Sequence, residues 1–155
     1  MRRCYYKSML LSRAIRDGRE LLNSIGVTDY SLGLDRAKRR AGCCHYSKRS
    51  ITLSEHYVKL NEWPEVRNTI LHEAAHALAG IDAGHGWRWA AKCRELGIKP
   101  QRCTDASAVM PEGTVAILCP THGEVGRQHR MPKRNARSYL VCRQCHERLE
   151  YRRVA

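Results

Sequence analysis

Three residues in one short segment could do chemistry together. In Ile70-Leu71-His72-Glu73-Ala74-Ala75-His76-Ala77-Leu78 the histidines lie four positions apart. On a helix that spacing stacks both imidazoles on one face, within reach of a single tetrahedral Zn2+. Glu73 falls on a neighbouring face, where a carboxylate can take a proton from water without displacing a histidine. A catalytic zinc also needs a third protein ligand and an open position. His85 is the natural candidate, because Gly84 and Gly86 on either side of it let the chain turn back towards the helix. The expected chemistry is metal-assisted hydrolysis. The metal acidifies a water, Glu73 acts as general base, and the developing oxyanion is held by the cation.

A second set of ligand types lies near the end of the chain. Cys119-Pro120-Thr121-His122 and Cys142-Arg143-Gln144-Cys145 each place two ligands around two intervening residues. Two such knuckles joined by short strands predict a zinc ribbon with Cys119, His122, Cys142 and Cys145 as ligands. His129 and His146 are weaker substitutes for His122. This second site has four protein ligands and no open position, so its expected role is structural. A tail of this size builds little core, and metal binding should supply its folding energy. The cofactors expected are therefore one catalytic and one structural zinc ion. Cys4, Cys43, Cys44, Cys93 and Cys103 have no metal-ligand spacing, and core packing is the simpler reading for them.

These residues need elements to position them. Apolar residues Val66, Ile70, Ala74 and Leu78 recur at helical spacing after Pro64, predicting a helix from about Glu65 to Leu78 that carries His72, Glu73 and His76. Trp87 to Leu96 reads as another helix, stopped by Gly97 and Pro100. Trp87 and Trp89 either line the cleft or pack, and packing suits Trp89. Upstream, residues 8–25 have the pattern of an amphipathic helix. Ser31 to Arg40 is read as a continuation of the helical region, ending in the basic run Arg36, Lys38, Arg39 and Arg40, expected to be a solvated face. Cys43 to Tyr46 and Ser50 to Ser54 suit a hairpin. Near Gly113 the character changes to cysteine pairs, strand-like Val115 to Leu118 and Ser138 to Val141, and many arginines. The expected organisation is a domain over 1–112 and a basic zinc-ribbon domain over 113–155, in an α+β fold.

Composition bounds the partners. The 155 residues include 28 Lys plus Arg against 15 Asp plus Glu, a formal net charge of +13. Such a surface attracts polyanions. The plainer alternative is a basic surface with no dedicated partner, but the clustering favours nucleic acid. Arg127, Arg130, Lys133, Arg134, Arg137 and Arg143 crowd the tail, with Tyr139 and Tyr151 among them. Arginines with interleaved aromatics suit phosphate contact and base stacking on single-stranded DNA, without sequence specificity. The N-terminus lacks the apolar stretch of a secretory leader, and no segment approaches a membrane span. A cytoplasmic location with reduced thiols, and no membrane partner, is expected.

The segment Thr69 to Leu78, followed by Gly84-His85-Gly86 and Trp89, resembles the SprT-like (Spartan-type) metalloproteases. The preceding hairpin, with Gly42, Cys44, Ile51, Leu53 and Ser54, is similar too, as is a tail with a zinc ribbon. The resemblance runs from about Ser8 to the end. It implies a zincin-like fold, His85 as third zinc ligand, and a DNA-associated zinc endopeptidase that cleaves DNA-bound or DNA-crosslinked proteins. A nucleoid-associated location, or the host cytoplasm for a phage protein, would follow. Two departures stand out. The chain lacks the long partner-binding tails of larger members, and it lacks the metzincin continuation after His76, so neither Met110 nor Met131 is expected to form a Met-turn. Two rival readings remain: a zinc protease with a dedicated, DNA-independent protein substrate, and a non-enzymatic zinc-containing DNA-binding adaptor.

Overall fold

The computed structural model describes residues 3–102, 107–133 and 140–154, with side chains from residue 11 onward. The chain is mixed α+β and divides into two compact units, 1–111 and 112–155. Among the described residues no helix is long and apolar enough to cross a membrane.

The first unit begins with α1 (Arg3–Ser24), whose Ala14 and Leu22 are buried against the core. Gly18 is a point of close approach between α1 and its neighbours. A Cβ there would lie 2.6 Å from Leu32 Cδ2 and 2.9 Å from Ile70 Cδ1. Three strands follow: β1 (Ser31–Asp35), β2 (Gly42–His45) and β3 (Ser50–Ser54). They form one sheet in the order β1-β3-β2, with β1 parallel and β2 antiparallel to β3. Ile51 and Leu53 of β3 are fully buried, as expected for the central strand of a sheet with one face on the core.

The expected helical continuation over Ser31 to Arg40 is not present. Its first half is strand β1 and its second half an irregular, bent connection to β2. Leu32 and Leu34 alternate around Gly33, a period of two, and both pack on the core while β3 supplies the ladder partners. The dense basic run that follows obscures this short pattern in the sequence.

Ser54 ends β3 and caps α2 (Glu55–Leu60), its hydroxyl accepting from the Tyr57 amide at 3.2 Å. The short α2 had no counterpart in the sequence reading. Helix α3 (Trp63–Ala79) then starts with Pro64 in its first turn and ends at Gly80, where φ is 86°. Val66, Ile70 and Ala74 are buried as the apolar stripe requires, but Leu78 is 41% exposed, so the stripe stops one turn early. A single 3-10 turn (Ile81–Ala83) leads to α4 (Trp87–Glu95), stopped at Gly97 with φ 74°. Asn61 fastens the segment after α4 by exchanging hydrogen bonds with the Val109 backbone at 2.7 and 2.8 Å.

The second unit is a separate three-stranded sheet in the order β5-β4-β6, all antiparallel: β4 (Val115–Cys119), β5 (Gly123–Gln128) and β6 (Glu150–Arg153). Of the strand expected over Ser138 to Val141, the first two residues lie outside the described residues, and Leu140 and Val141 belong to no named strand. Val141 itself makes one antiparallel bridge to Arg148.

Candidate metal centre

Helix α3 places His72 and His76 on one face, one turn apart, with ring centroids 5.1 Å apart. The chain then leaves the helix at Gly80, makes the 3-10 turn, and passes through Gly84 at φ 48°. That backbone conformation favours glycine. His85 is thereby carried back, its Nε2 lying 3.2 Å from His76 Nε2 and 3.3 Å from His72 Nε2.

Three imidazole nitrogens pointing at one another pose a hydrogen-bonding problem. His85 Nε2 has a single in-plane donor or acceptor position and cannot serve both neighbours. A cation at their centre would satisfy all three lone pairs. A tetrahedral ion about 2.0–2.1 Å from each nitrogen would hold them about 3.3–3.4 Å apart, close to the separations seen. The rings are also biased towards the neutral form that ligation requires. Burial, then the neighbouring histidines, pushes the pKa of His76 down to about 4. Burial and His85 do the same to His72, also to about 4. His85 shifts down through burial and the nearby Arg102 charge. The donor set fits a metal such as zinc.

Trp89, from the first turns of α4, forms the wall behind this cluster. It is 1% exposed, and its ring lies 5.0, 5.4 and 4.6 Å from the His72, His76 and His85 rings. Trp87, two residues earlier, points the other way and is 80% exposed. The packing role expected for Trp89 is the one it has, and two positions along a helix put Trp87 on the opposite face.

Glu73 is buried against strand β2. A Cβ on Gly42 would come within 3.0 Å of both Glu73 Cγ and Thr69 Cγ2, so only glycine lets the strand approach this closely. Burial raises the Glu73 carboxyl to about 7, although a hydrogen bond from the Cys44 backbone and the charge of Arg40 pull in the opposite direction. A carboxylate with that affinity can both take up and release a proton near neutral pH. The part played by Gly42 and Cys44 was missed in the sequence. Both residues carried part of the family resemblance, but nothing in the sequence tied them to Glu73.

The SprT-like family model matches residues 12–108. This chain belongs to the SprT-like family. No curated protein and no solved structure matches it. The SprT-like match covers all of β1 to β3, the helices α2 to α4 and the three histidines, and it points to a metalloprotease-like function. It stops short of the second unit.

That unit holds its own cluster. Cys119 Sγ lies 3.4 Å from His122 Nδ1 and 3.4 Å from Cys145 Sγ, while Cys142 Sγ is 3.7 Å from His122 Nδ1. All four ligand atoms fall within 4.8 Å of one another. Gly123 at φ 72° and His146 at φ 60° make the two tight turns that present them. The backbone amides of Cys145 and Gln144 are directed at Cys142 and lower its pKa, whereas hydrogen bonds with Cys119, Cys142 and Glu147 raise that of Cys145, so the proton of the pair rests on Cys145. This donor set also fits a metal, with sulfur in the majority. Glu147 reaches Cys145 Sγ at 3.4 Å and Thr121 Oγ1 at 2.5 Å, bracing the cluster from outside. His129 and His146 are not part of it.

The arginines expected to touch DNA fare differently. Arg127 is paired with Glu124 at 2.6 Å and Glu112 at 3.0 Å. Arg130, Lys133 and Arg143 are exposed. Arg134 and Arg137 lie outside the described residues.

Proposed function

We propose that this SprT-like protein is a zinc-dependent endopeptidase that acts on proteins bound or crosslinked to DNA. The observation that carries the protease reading is the convergence of the His72, His76 and His85 Nε2 atoms, at 3.2 and 3.3 Å from His85, next to the buried carboxylate of Glu73. His72, His76 and His85 would hold the catalytic ion. When bound there, zinc would supply Lewis acidity towards a water and a peptide carbonyl. Glu73, oriented by the Cys44 amide and packed on Gly42, takes the proton from the attacking water. It then returns that proton to the amine that leaves as the peptide bond breaks. Trp89 excludes water from behind the histidines and fixes their rings. On this reading the centre would be zincin-like.

In the second unit, Cys119, His122, Cys142 and Cys145 would hold a structural zinc in a ribbon. The net charge of +13 and the exposed Arg130, Lys133 and Arg143 support contact with DNA, single-stranded and without sequence preference. Binding to DNA raises the effective concentration of protein substrates on the same strand. A cytoplasmic, DNA-associated location fits this role. A non-enzymatic adaptor would have no use for a buried, oriented Glu73. A dedicated protein substrate independent of DNA is the second reading, and the same experiment separates it.

The test uses zinc-loaded full-length protein and the Glu73→Gln variant, each incubated with a basic DNA-binding protein, with and without single-stranded DNA. Wild type should produce fragments only with DNA, and the variant should lose about 10²–10⁴-fold in rate. Zinc-loaded wild type that cuts nothing under either condition would sink the protease reading. Cleavage indifferent to DNA would favour the dedicated substrate.

A further inference from the structure

The connection between β1 and β2 carries Arg36, Lys38, Arg39 and Arg40 within five residues, and all four side chains are exposed. Among the described residues, Arg40 alone of the four forms an ion pair, with Asp35 at 2.6 Å. A solvated loop of like charges should be loosely held, since the cations repel one another. This one is fastened at both ends. Asp35 accepts from the Ala37 amide at 2.8 Å and from the Thr52 hydroxyl at 2.8 Å. Ser54 donates its hydroxyl to the Ala37 carbonyl at 2.5 Å and its amide to the Ala41 carbonyl at 2.8 Å. The backbone is therefore set before any ligand arrives, which lowers the ordering cost of binding.

The position of the loop matters as much as its charge. It runs directly into Gly42, the residue packed on Glu73. Arg39 is three residues from Gly42, so its backbone lies within roughly 10 Å of that contact. The loop contains no apolar side chain larger than alanine, so it has nothing to insert into a lipid surface. Closely spaced cations on a preset backbone suit a chain of regularly spaced anions.

We propose that the β1–β2 connection is a second nucleic-acid site, in which Arg36, Lys38 and Arg39 bind successive backbone phosphates beside the metal centre. It rests on the DNA-directed reading above and adds a contact on the first unit, separate from the basic residues of the second. The strand would thus be tethered at the cleft, bringing a protein bound to it within reach of Glu73.

The experiment measures binding of the full-length zinc-loaded protein to a fluorescent single-stranded oligonucleotide by anisotropy at several salt concentrations. Arg36→Gln/Lys38→Gln/Arg39→Gln is compared with Arg67→Gln/Arg94→Gln/Lys99→Gln, which removes the same charge from other exposed positions. The loop variant should lose affinity at least tenfold, and its salt slope should fall by about 2, as expected for three lost phosphate contacts to a single strand. The control variant should lose less than a third of that effect on the logarithmic scale. Arg36→Lys/Arg39→Lys, which keeps the charge, should bind like wild type. Equal losses in the two neutralised variants, or no loss in the loop variant, would overturn the site while leaving the protease reading intact. Failure of wild type to bind DNA at all would remove both the site and the DNA-directed reading.

Discussion

Glu73 shows how one residue gets two opposed influences from its surroundings. Burial favours the protonated acid, while the Cys44 amide and Arg40 favour the anion, and the balance lies near neutrality. Trp89 acts on the three histidines in a comparable way, through contact alone. With its ring 4.6 to 5.4 Å from all three, it limits the rotamers they can adopt. Replacing it with alanine should cost about 3–5 kcal/mol, the usual range for a buried large aromatic. Urea unfolding measures this. The same variant should lose its metal to a competing chelator faster than wild type does. Stability and metal retention both equal to wild type would show that Trp89 is not the wall described here.

At the scale of elements, the site depends on how closely β2 approaches α3. The strand is the edge of its sheet, and Gly42 is the point of contact with Thr69 and Glu73. Gly42→Ala would place a methyl group 3.0 Å from both side chains and 3.2 Å from the Thr52 carbonyl oxygen. Something must give by a few tenths of an ångström. The expected cost in stability is modest, about 1–3 kcal/mol. The loss in kcat should be disproportionate, at least tenfold, because the displaced group is the carboxylate. Thermal melts and peptide cleavage by the same preparation compare the two effects. A fully active Gly42→Ala protein would mean that the close approach does not govern Glu73. The Gly80 and Gly84 turns do the corresponding work on the other side of the centre, returning His85 to the face of α3.

At the scale of the whole molecule, the two units differ in what holds them together. Unit 1–111 has an extensive buried core that includes Leu22, Ile51, Leu53, Val66 and Ile70. In unit 112–155 the buried apolar residues among those described are Val115, Ala116, Cys119 and Cys142, and two of these are candidate ligands. So little burial cannot offset the chain entropy of some forty residues. Exhaustive chelation should therefore remove amide-exchange protection from β4, β5 and β6 while β1 to β3 stay protected. Hydrogen exchange read by mass spectrometry makes the comparison within one sample. Protection of β4 to β6 that survives metal removal would mean the second unit folds without an ion.

Some of this was legible in the sequence because it is set by local geometry. The four-residue spacing of His72 and His76 becomes a shared face on any α-helix, and Pro64 and Gly80 mark where that helix begins and ends. The two knuckles are local for the same reason, since a ligand pair around two residues is a single turn. The α+β character and the hairpin of β2 and β3 followed from short-range patterns as well. Other features exist only because distant segments meet. The sequence suggested His85 but did not fix its distance from His72, thirteen residues away. That distance depends on a backbone turned by Gly84. Strand β1 was hidden because its leucines are paired by β3, which comes later in the chain. The affinity of Glu73 for a proton is set by a strand some thirty residues upstream. The basic run after β1 has the composition of a solvated face, and the hydrogen bonds from Thr52 and Ser54 turn it into a fixed one. Spacing along one element determines which side chains share a face. Burial, charge and the fastening of loops depend on what the rest of the chain packs against them, and only the tertiary structure decides that.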